Sequence, residues 1–540
     1  MRCWQRLPAP GSVARSRMTA TRAVAFISLM GLAWLTAGAL RQGPPTGQQQ
    51  LPLGLAGQVP ATLYLQDAPG TAPAARPGLR RPAGAYAAGV VVAHGFAGDR
   101  HSMQGLCESL AAAGYSVLSL DLSGHGMNRN PLASPLAASD RLVPDIRAGV
   151  DFLAGTLGID PRHIAVLGHS MGARATLDYG SSAGAGVAGL VMLAGSSELP
   201  GPRPPRNTLF LYAERDLPGV AEAIRRKAAA LAGLVQVEEG RTYGDFSAGT
   251  ALRVVQVAGV VHGTIISAPQ AFSEVLDWLD RSTGFPARAT APTPIKPAPM
   301  ERLLWLGLLA TLPGLGLLLA RLAPPSTAAT TLPAWTDIAL LPAALLLPLA
   351  FIRPDRAGLL LALSTADGVV TQLVMAGLLL SAGLLLAPRY RPALDGWAAA
   401  LGIALAGWLV IALLAAPASE YFHGLGLTPG RTALALVSAA GLMPLALALQ
   451  WLACRPQWWR GTLWRLALRI ALLAGLVAGN AIGAFGFPGT IAALVLLLAP
   501  ALLEPVLAGY YLRSRNLLVA ATLDALVTGW LFALYLPVTG

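Results

Sequence analysis

A serine held between two glycines is where this chain most plainly offers chemistry. The segment Ile164-Ala-Val-Leu-Gly168-His169-Ser170-Met171-Gly172-Ala173 joins a strand-like run to a helix-like run, with G-x-S-x-G at the junction. A chain that passes from strand to helix in so few residues turns very tightly, and the serine takes strained backbone angles. Side chains two residues to either side would collide, so Gly168 and Gly172 are needed to form the elbow. The turn would lift the Ser170 hydroxyl above the sheet edge and aim the N-terminus of the next helix at the reacting centre. The motif alone is a weak signal; the strand-turn-helix setting makes it much stronger. A serine hydroxyl becomes a useful nucleophile when a base takes its proton. His262, in Val260-Val-His-Gly-Thr, is the only histidine between the elbow and the apolar C-terminal part. A carboxylate must then hold the imidazole tautomer. Asp216, just past the run Thr208–Tyr212, suits that role, with Glu214 and Asp245 as rivals.

The elements around these residues alternate. Strands are expected at Val90–His94, Ser116–Leu120, Ile164–Leu167, Gly189–Leu193, Thr208–Tyr212 and Arg253–Val257. Helices are expected at Ser102–Ala113, Val143–Leu157, Met171–Tyr179, Gly219–Leu231 and Pro269–Asp280. Such alternation predicts a mostly parallel α/β sheet covered on both faces. Residues 43–60 and 66–85, rich in Pro, Gly and Ala, read as linker and loop.

HGFAG at 94–98, DLSGHG at 121–126, GHSMG at 168–172, the strand ending in Asp216 and the late His262 together resemble the α/β-hydrolase superfamily. Within it the pattern is similar to the serine aminopeptidase and monoacylglycerol-lipase-like branch, over about residues 58–282. The resemblance implies the α/β-hydrolase fold and attack on an ester, thioester or amide carbonyl through an acyl-enzyme. It implies Ser170, Asp216 and His262 as catalytic residues, and the backbone N–H groups of Phe96 and Met171 as the oxyanion hole. Two departures stand out. The interval Ala194–Arg206 is too short for the helical cap such relatives carry, so an open site is expected. Val235–Gly249 reads as an insertion that could partly screen the site.

The remaining candidates have plainer readings. His169 is expected to pack, His125 to shape a loop, His101 and His163 to cap or lie at the surface, and His423 to sit alone in a loop. Cys3, Cys107 and Cys454 lie far apart and show no disulfide or zinc spacing. No metal and no cofactor are expected.

Composition assigns the rest of the chain. Its 540 residues are 54% hydrophobic and only 12% charged, with a mean hydropathy of +0.56. A soluble chain carries roughly 25% charged residues. The net charge of +12 is not a nucleic-acid face. Residues 43–299 hold 20 basic and 19 acidic groups, and the excess flanks apolar spans. The expected organisation is an N-terminal signal anchor at 1–42, the α/β-hydrolase domain at 43–282, a Pro-rich linker at 283–300, and an all-α polytopic transmembrane domain at 301–540. Its spans, about eight, are near 302–322, 334–352, 358–386, 395–416, 431–453, 466–486, 489–511 and 517–537.

With the hydrolase domain outside, inside loops would hold Arg321, Arg389, Arg391, Arg455, Arg460, Arg465, Arg513 and Arg515. Outside loops would hold Arg353, Arg356 and Arg431, in keeping with the positive-inside rule despite Arg302. The expected setting is thus a bacterial cytoplasmic membrane with the hydrolase domain periplasmic or extracellular. Polar residues within the spans are Asp367, Gln372, Asn480, Glu504 and Asp524, which either pair between helices or act. The expected partners are membrane lipids and a small-molecule or lipid acyl substrate, with no nucleic acid; the sequence sets no oligomeric state. The alternative is a membrane transporter or scaffold whose hydrolase-like domain only binds a ligand.

Overall fold

Val90 and Val92 point to one side of their strand and Val91 and Ala93 to the other, and all four are buried. This two-sided burial repeats along the central strands and demands helices on both faces. The structure, a computed structural model, describes residues 10–39, 48–66, 87–132, 139–182, 186–197, 204–285, 298–324, 367–385, 396–419, 423–453, 458–481 and 486–538, together with Pro342 and Leu346. The chain divides into two compact units. One comprises Met1–Gln42, Pro299–Ala418 and Pro429–Leu536; the other comprises Gly43–Ala298, Ser419–Thr428 and Pro537–Gly540.

The second unit is built on a nine-stranded sheet. Its strands are β1 Gln48–Gly54, β2 Pro60–Gln66, β3 Gly89–Ala93, β4 Ser116–Leu120, β5 Ile164–His169, β6 Gly189–Leu193, β7 Thr208–Arg215, β8 Thr242–Tyr243 and β9 Leu252–Val261. Their spatial order is β1-β2-β4-β3-β5-β6-β7-β9-β8. From β4 to β9 every pairing is parallel; β1 with β2, β2 with β4, and β8 with β9 are antiparallel. Numbering the helices of the chain in order, α1 is Pro10–Ala39, α2 Gln104–Ala112, α3 Ser139–Gly155, α4 Met171–Gly180, α5 Val220–Ala232 and α6 Pro269–Thr283. Helices α3, α4 and α5 cover one face of the sheet through Ile146, Leu177 and Ile224. Helices α2 and α6 cover the other through Leu110, Phe272 and Trp278. This is an α/β-hydrolase sheet.

Two expectations are corrected here. The stretch 43–60, read as linker, contains β1, which pairs along its length with β2 from Gln48–Gln66 to Gly54–Pro60. Its Pro52 is tolerated because β1 is an edge strand. The supposed insertion 235–249 carries β8, which pairs with Leu252 and Arg253 at the start of β9. His262 lies just beyond the opposite end of that strand, so β8 extends the sheet and does not screen the site.

The other unit is helical. Besides α1 it contains α7 Ala298–Leu322, α8 Asp367–Leu385, α9 Trp397–Ser419, α10 Pro429–Leu452, α11 Trp458–Ala481, α12 Gly486–Tyr511 and α13 Leu517–Tyr535. Among the described residues seven helices are long and apolar enough to cross a membrane, and Gly368–Gly383 is a shorter apolar helix. The expected span at 334–352 lies outside the described residues. Helix α13 is the central one, with 89% of its span buried. Helix α11 starts earlier than the expected 466 and carries Arg465 and Arg469 into the interior. Arg465 donates to Glu504 at 2.9 Å; Arg469 and Gln450 donate to Asp524 at 2.7 and 2.9 Å. Arg465 is therefore not a loop charge. Nor is Arg431, which is buried in the first turn of α10 and donates to the carbonyls of Ala533 and Leu534 near the end of α13. These groups would be orphaned in an apolar interior, and pairing removes that cost. The side chains of Asp367 and Asn480 lie outside the described set, as do Cys3 and Cys454.

Candidate active site

Strand β5 runs through the middle of the sheet and stops at His169. Ser170 then takes φ +52° and ψ −110°, a conformation an L-residue adopts only under constraint, and α4 begins at Met171. The Ser170 N–H donates to Leu193 O at 2.8 Å, which ties the turn to the end of β6. Both flanking glycines are enforced by packing. A Cβ on Gly168 would run into the Gly172 carbonyl, and one on Gly172 would run into the Ala93 carbonyl and lie 2.6 Å from His94 O.

The structure brings Ser170, His262 and Asp216 into one chain of hydrogen bonds. The Ser170 Oγ stands 2.9 Å from His262 Nε2, and His262 Nδ1 stands 2.5 Å from Asp216 Oδ1. Strand β7 delivers Asp216 and β9 delivers His262, from neighbouring positions in the sheet. The carboxylate is held by more than the imidazole. Asp216 Oδ2 accepts from the Ala213 N–H at 2.9 Å, and Oδ1 accepts from the Leu217 N–H at 2.8 Å. Burial alone would raise its pKa; the hydrogen bonds from His262 and the two amides outweigh that, so it lies below the ordinary carboxylate value. The rivals are occupied elsewhere. Glu214 accepts from the Gly259 N–H at 2.6 Å, and Asp245 accepts from Ser247 and the Ala248 N–H.

Two histidines shape the surroundings. His169 is buried and its Nε2–H donates to the carbonyl of His262 at 3.0 Å. Burial, aided by repulsion from His262, lowers its pKa to about 4, so it stays neutral. The sequence reading had it only packing; in the structure it holds the main chain of His262. His94 is buried, and its Nδ1–H donates to Gly95 O at 2.8 Å. Its Nε2 accepts from the Leu122 N–H at 3.0 Å, and burial pushes its pKa down. His94 therefore clamps the loop after β3 to the loop after β4. The only sequence signal for this was the His-Gly pair at the strand end.

The loop that carries Phe96 borders the serine. A Cβ on Gly95 would lie 3.2 Å from Ser170 Cβ. The Gly98 N–H closes a turn onto Gly95 O at 3.0 Å, and Ala97 sits at φ +62°. Met171 opens α4 on the other side. Asp121, in the loop after β4, ion-pairs with Arg100 and accepts from the Arg100 and Met127 N–H groups at 2.9 and 2.8 Å. His125 stacks edge-on against both His94 and Phe96, with ring centroids 5.2 and 5.6 Å away.

Comparison with known proteins points the same way. Residues 84–222 match a family model described as serine aminopeptidase, S33. Two uncharacterized proteins of Mycobacterium tuberculosis, from two strains, are each 40% identical over 85 residues. The match spans 16% of this chain and only 28% of each relative. Among solved structures, an esterase of Pyrobaculum calidifontis is similar over 52% of this chain and 99% of its own, at 16% identity and a TM-score of 0.30. A CIB-like hydrolase of Thermoplasma acidophilum matches 43% of this chain and 98% of its own, at 15% identity and a TM-score of 0.30. The assignment of fold rests on the strand order rather than on these likenesses. Residues 84–222 resemble the serine aminopeptidase S33 family, and the unit that contains them is an α/β-hydrolase fold.

Proposed function

We propose that the protein is a membrane-anchored serine hydrolase that cleaves ester, thioester or amide bonds through an acyl-enzyme on Ser170. The observation that carries this is the continuous chain Ser170 Oγ, His262, Asp216 at a strained elbow. His262 Nε2 takes the hydroxyl proton as Oγ attacks the carbonyl carbon. The resulting oxyanion meets the N–H groups of Phe96 and Met171, donors fixed by the turns that hold them. The tetrahedral intermediate collapses, and His262 returns the proton to the leaving alcohol, thiol or amine. Water then enters, loses its proton to His262, and releases the acid from Ser170. Asp216 keeps the imidazole in the tautomer that accepts from serine and stabilises it when charged.

Seven apolar helices support membrane association. The close seam between α1 and α7 supports α1 as a retained anchor. Trp34 Nε1 donates to Leu303 O at 3.1 Å, and Cβ atoms on Gly31 and Gly314 would fall 2.8 Å from Gly307 O and 2.6 Å from Ser28 Cβ. On the positive-inside rule the hydrolase unit faces the outer side of a bacterial cytoplasmic membrane. The connection between β6 and β7 is short, which supports an open site and a small-molecule or lipid acyl substrate presented at a membrane. A fluorophosphonate probe should label the purified full-length protein and fail to label Ser170→Ala. Equal labelling of both removes Ser170 from the mechanism.

A further inference from the structure

The hydrolase unit contains a segment whose neighbours in sequence are membrane helices. The connection between α9 and α10 contributes residues 423–428 to this unit, and Gly424 docks beside the loop that carries Phe96. The point of docking is Asp99, one residue after the Gly95–Gly98 turn and almost wholly buried. One carboxylate oxygen, Oδ1, accepts from the N–H groups of His101 and Ser102 at 3.0 and 3.2 Å and caps the short helical turn Arg100–Met103. The other oxygen faces the incoming loop. It accepts from the Gly424 N–H at 2.7 Å, from His101 Nδ1 at 3.1 Å, and lies 3.5 Å from His423 Nδ1. The approach is close: a Cβ on Gly424 would lie 2.8 Å from His101 Nδ1 and 2.9 Å from Asp99 Oδ2, so one of these side chains would have to shift.

A second distant segment docks on the neighbouring loop. The Val538 N–H donates to Gly124 O at 3.0 Å, and the Leu132 N–H donates to Val538 O at 2.8 Å. The loops after β3 and β4 are thus each fastened by residues of the same unit that are distant in sequence.

We infer that the interhelical segment 423–428 is a positioning element of the hydrolase site, in which Gly424 and Asp99 fix the loop that presents the Phe96 N–H to the oxyanion. The inference rests on the hydrolase reading above. Gly424 and Asp99 touch no reacting atom; they act through the backbone of residues 95–98. Released from Gly424, the buried Asp99 keeps its cap but loses a charge-strengthened hydrogen bond on its second oxygen. The turn before it is then free to shift, and a displacement of about 1 Å at a transition-state contact costs on the order of 10²-fold in rate.

The test uses the full-length protein in detergent micelles, with two variants. Asp99→Asn keeps a capping oxygen and places an N–H group against Gly424; Gly424→Ala adds a Cβ that forces His101 or Asp99 to shift. Leu427→Ala, in the same loop, is the control. Amide exchange over 423–428 is measured alongside fluorophosphonate labelling and the kcat and KM for a short-chain p-nitrophenyl ester. The expected result is a wild-type segment protected at Gly424, with exchange at least roughly tenfold faster in both variants. Their kcat and labelling rate should fall by roughly ten- to a hundredfold with KM little changed, since the donor acts mainly in the transition state. A wild-type segment that exchanges as fast as in the variants overturns the docking. Faster exchange with unchanged kcat overturns the positioning role. Wild-type protein that takes no label removes the hydrolase reading and with it that role, while the exchange data still decide whether the loop docks. Should Gly424→Ala fail to fold, Asp99→Asn alone decides.

Discussion

Replacing Asp216 with asparagine should damage catalysis by changing which nitrogen of His262 carries the proton. The native carboxylate accepts three hydrogen bonds: from Ala213 N–H on Oδ2, and from Leu217 N–H and His262 Nδ1–H on Oδ1. An amide has one oxygen, so it must choose. With its oxygen toward His262, its NH₂ faces the N–H of Ala213, a residue only 1% exposed, and two buried donors oppose each other. That costs about 1–3 kcal/mol. With the amide flipped, the opposed donor is the N–H of Leu217, a residue 37% exposed and within reach of water. The flipped form therefore prevails. Its NH₂ then points at His262 Nδ1, which must accept, and the ring proton moves to Nε2. Nε2 no longer accepts from Ser170. The expected loss in kcat is about 10³- to 10⁴-fold, or roughly 4 to 5.5 kcal/mol of barrier. The assay is steady-state hydrolysis of a short-chain ester with circular dichroism to verify folding. A loss under tenfold in a folded variant would refute this account of the acid's role.

Two further outcomes are expected. Gly172→Ala places a Cβ against the Ala93 and His94 carbonyls, rigid backbone that does not yield as a side chain would. Denaturant unfolding of the hydrolase unit should show a loss on the order of 1–3 kcal/mol, and labelling of Ser170 should fall with it. His169 provides a pH dependence. Its folded pKa is about 4, below its ordinary value of 6.5, so between those values the unfolded chain binds the extra proton and stability falls as pH falls. The full effect approaches about 3 kcal/mol below pH 4. Asp145 works the other way, because burial pushes its pKa up to about 6. Comparison of wild type with His169→Gln, which keeps an N–H donor for the His262 carbonyl, isolates the histidine. Unfolding curves from pH 7 to 4 should diverge by that amount; parallel curves would show that His169 is not held neutral.

What the sequence revealed follows from what is local. Ser170 was legible because a tight strand-to-helix turn imposes glycine at fixed spacing, and His262 because no other histidine lies between the elbow and the spans. Asp216 was separable from Glu214 and Asp245 only by its place past a strand end, and the structure brings it to the imidazole. The six central strands were legible as short β-branched or apolar runs. Strand β1 was not, because a Gln- and Pro-containing edge strand has no two-sided apolar pattern and owes its form to its pairing with β2. The position of His169 against the carbonyl of His262 depends on how the chain leaving β9 meets the end of β5, with β6 and β7 between the two strands, a long-range fact with no local signature. The buried positions of Arg465 and Arg431 were hidden for a similar reason. Charge near the end of an apolar run reads as a loop, yet partners on distant helices draw it inward.

The Val538 bridge has a consequence for biogenesis. The hydrolase half is stitched from three stretches of chain, and the third follows the final apolar helix described. The loop after β4 cannot be fastened until the chain has been translated as far as Val538. A nascent chain halted earlier would lack the bridge that Val538 makes between Gly124 and Leu132. The loop after β4 is in this way the last part of the sheet's surroundings to be completed.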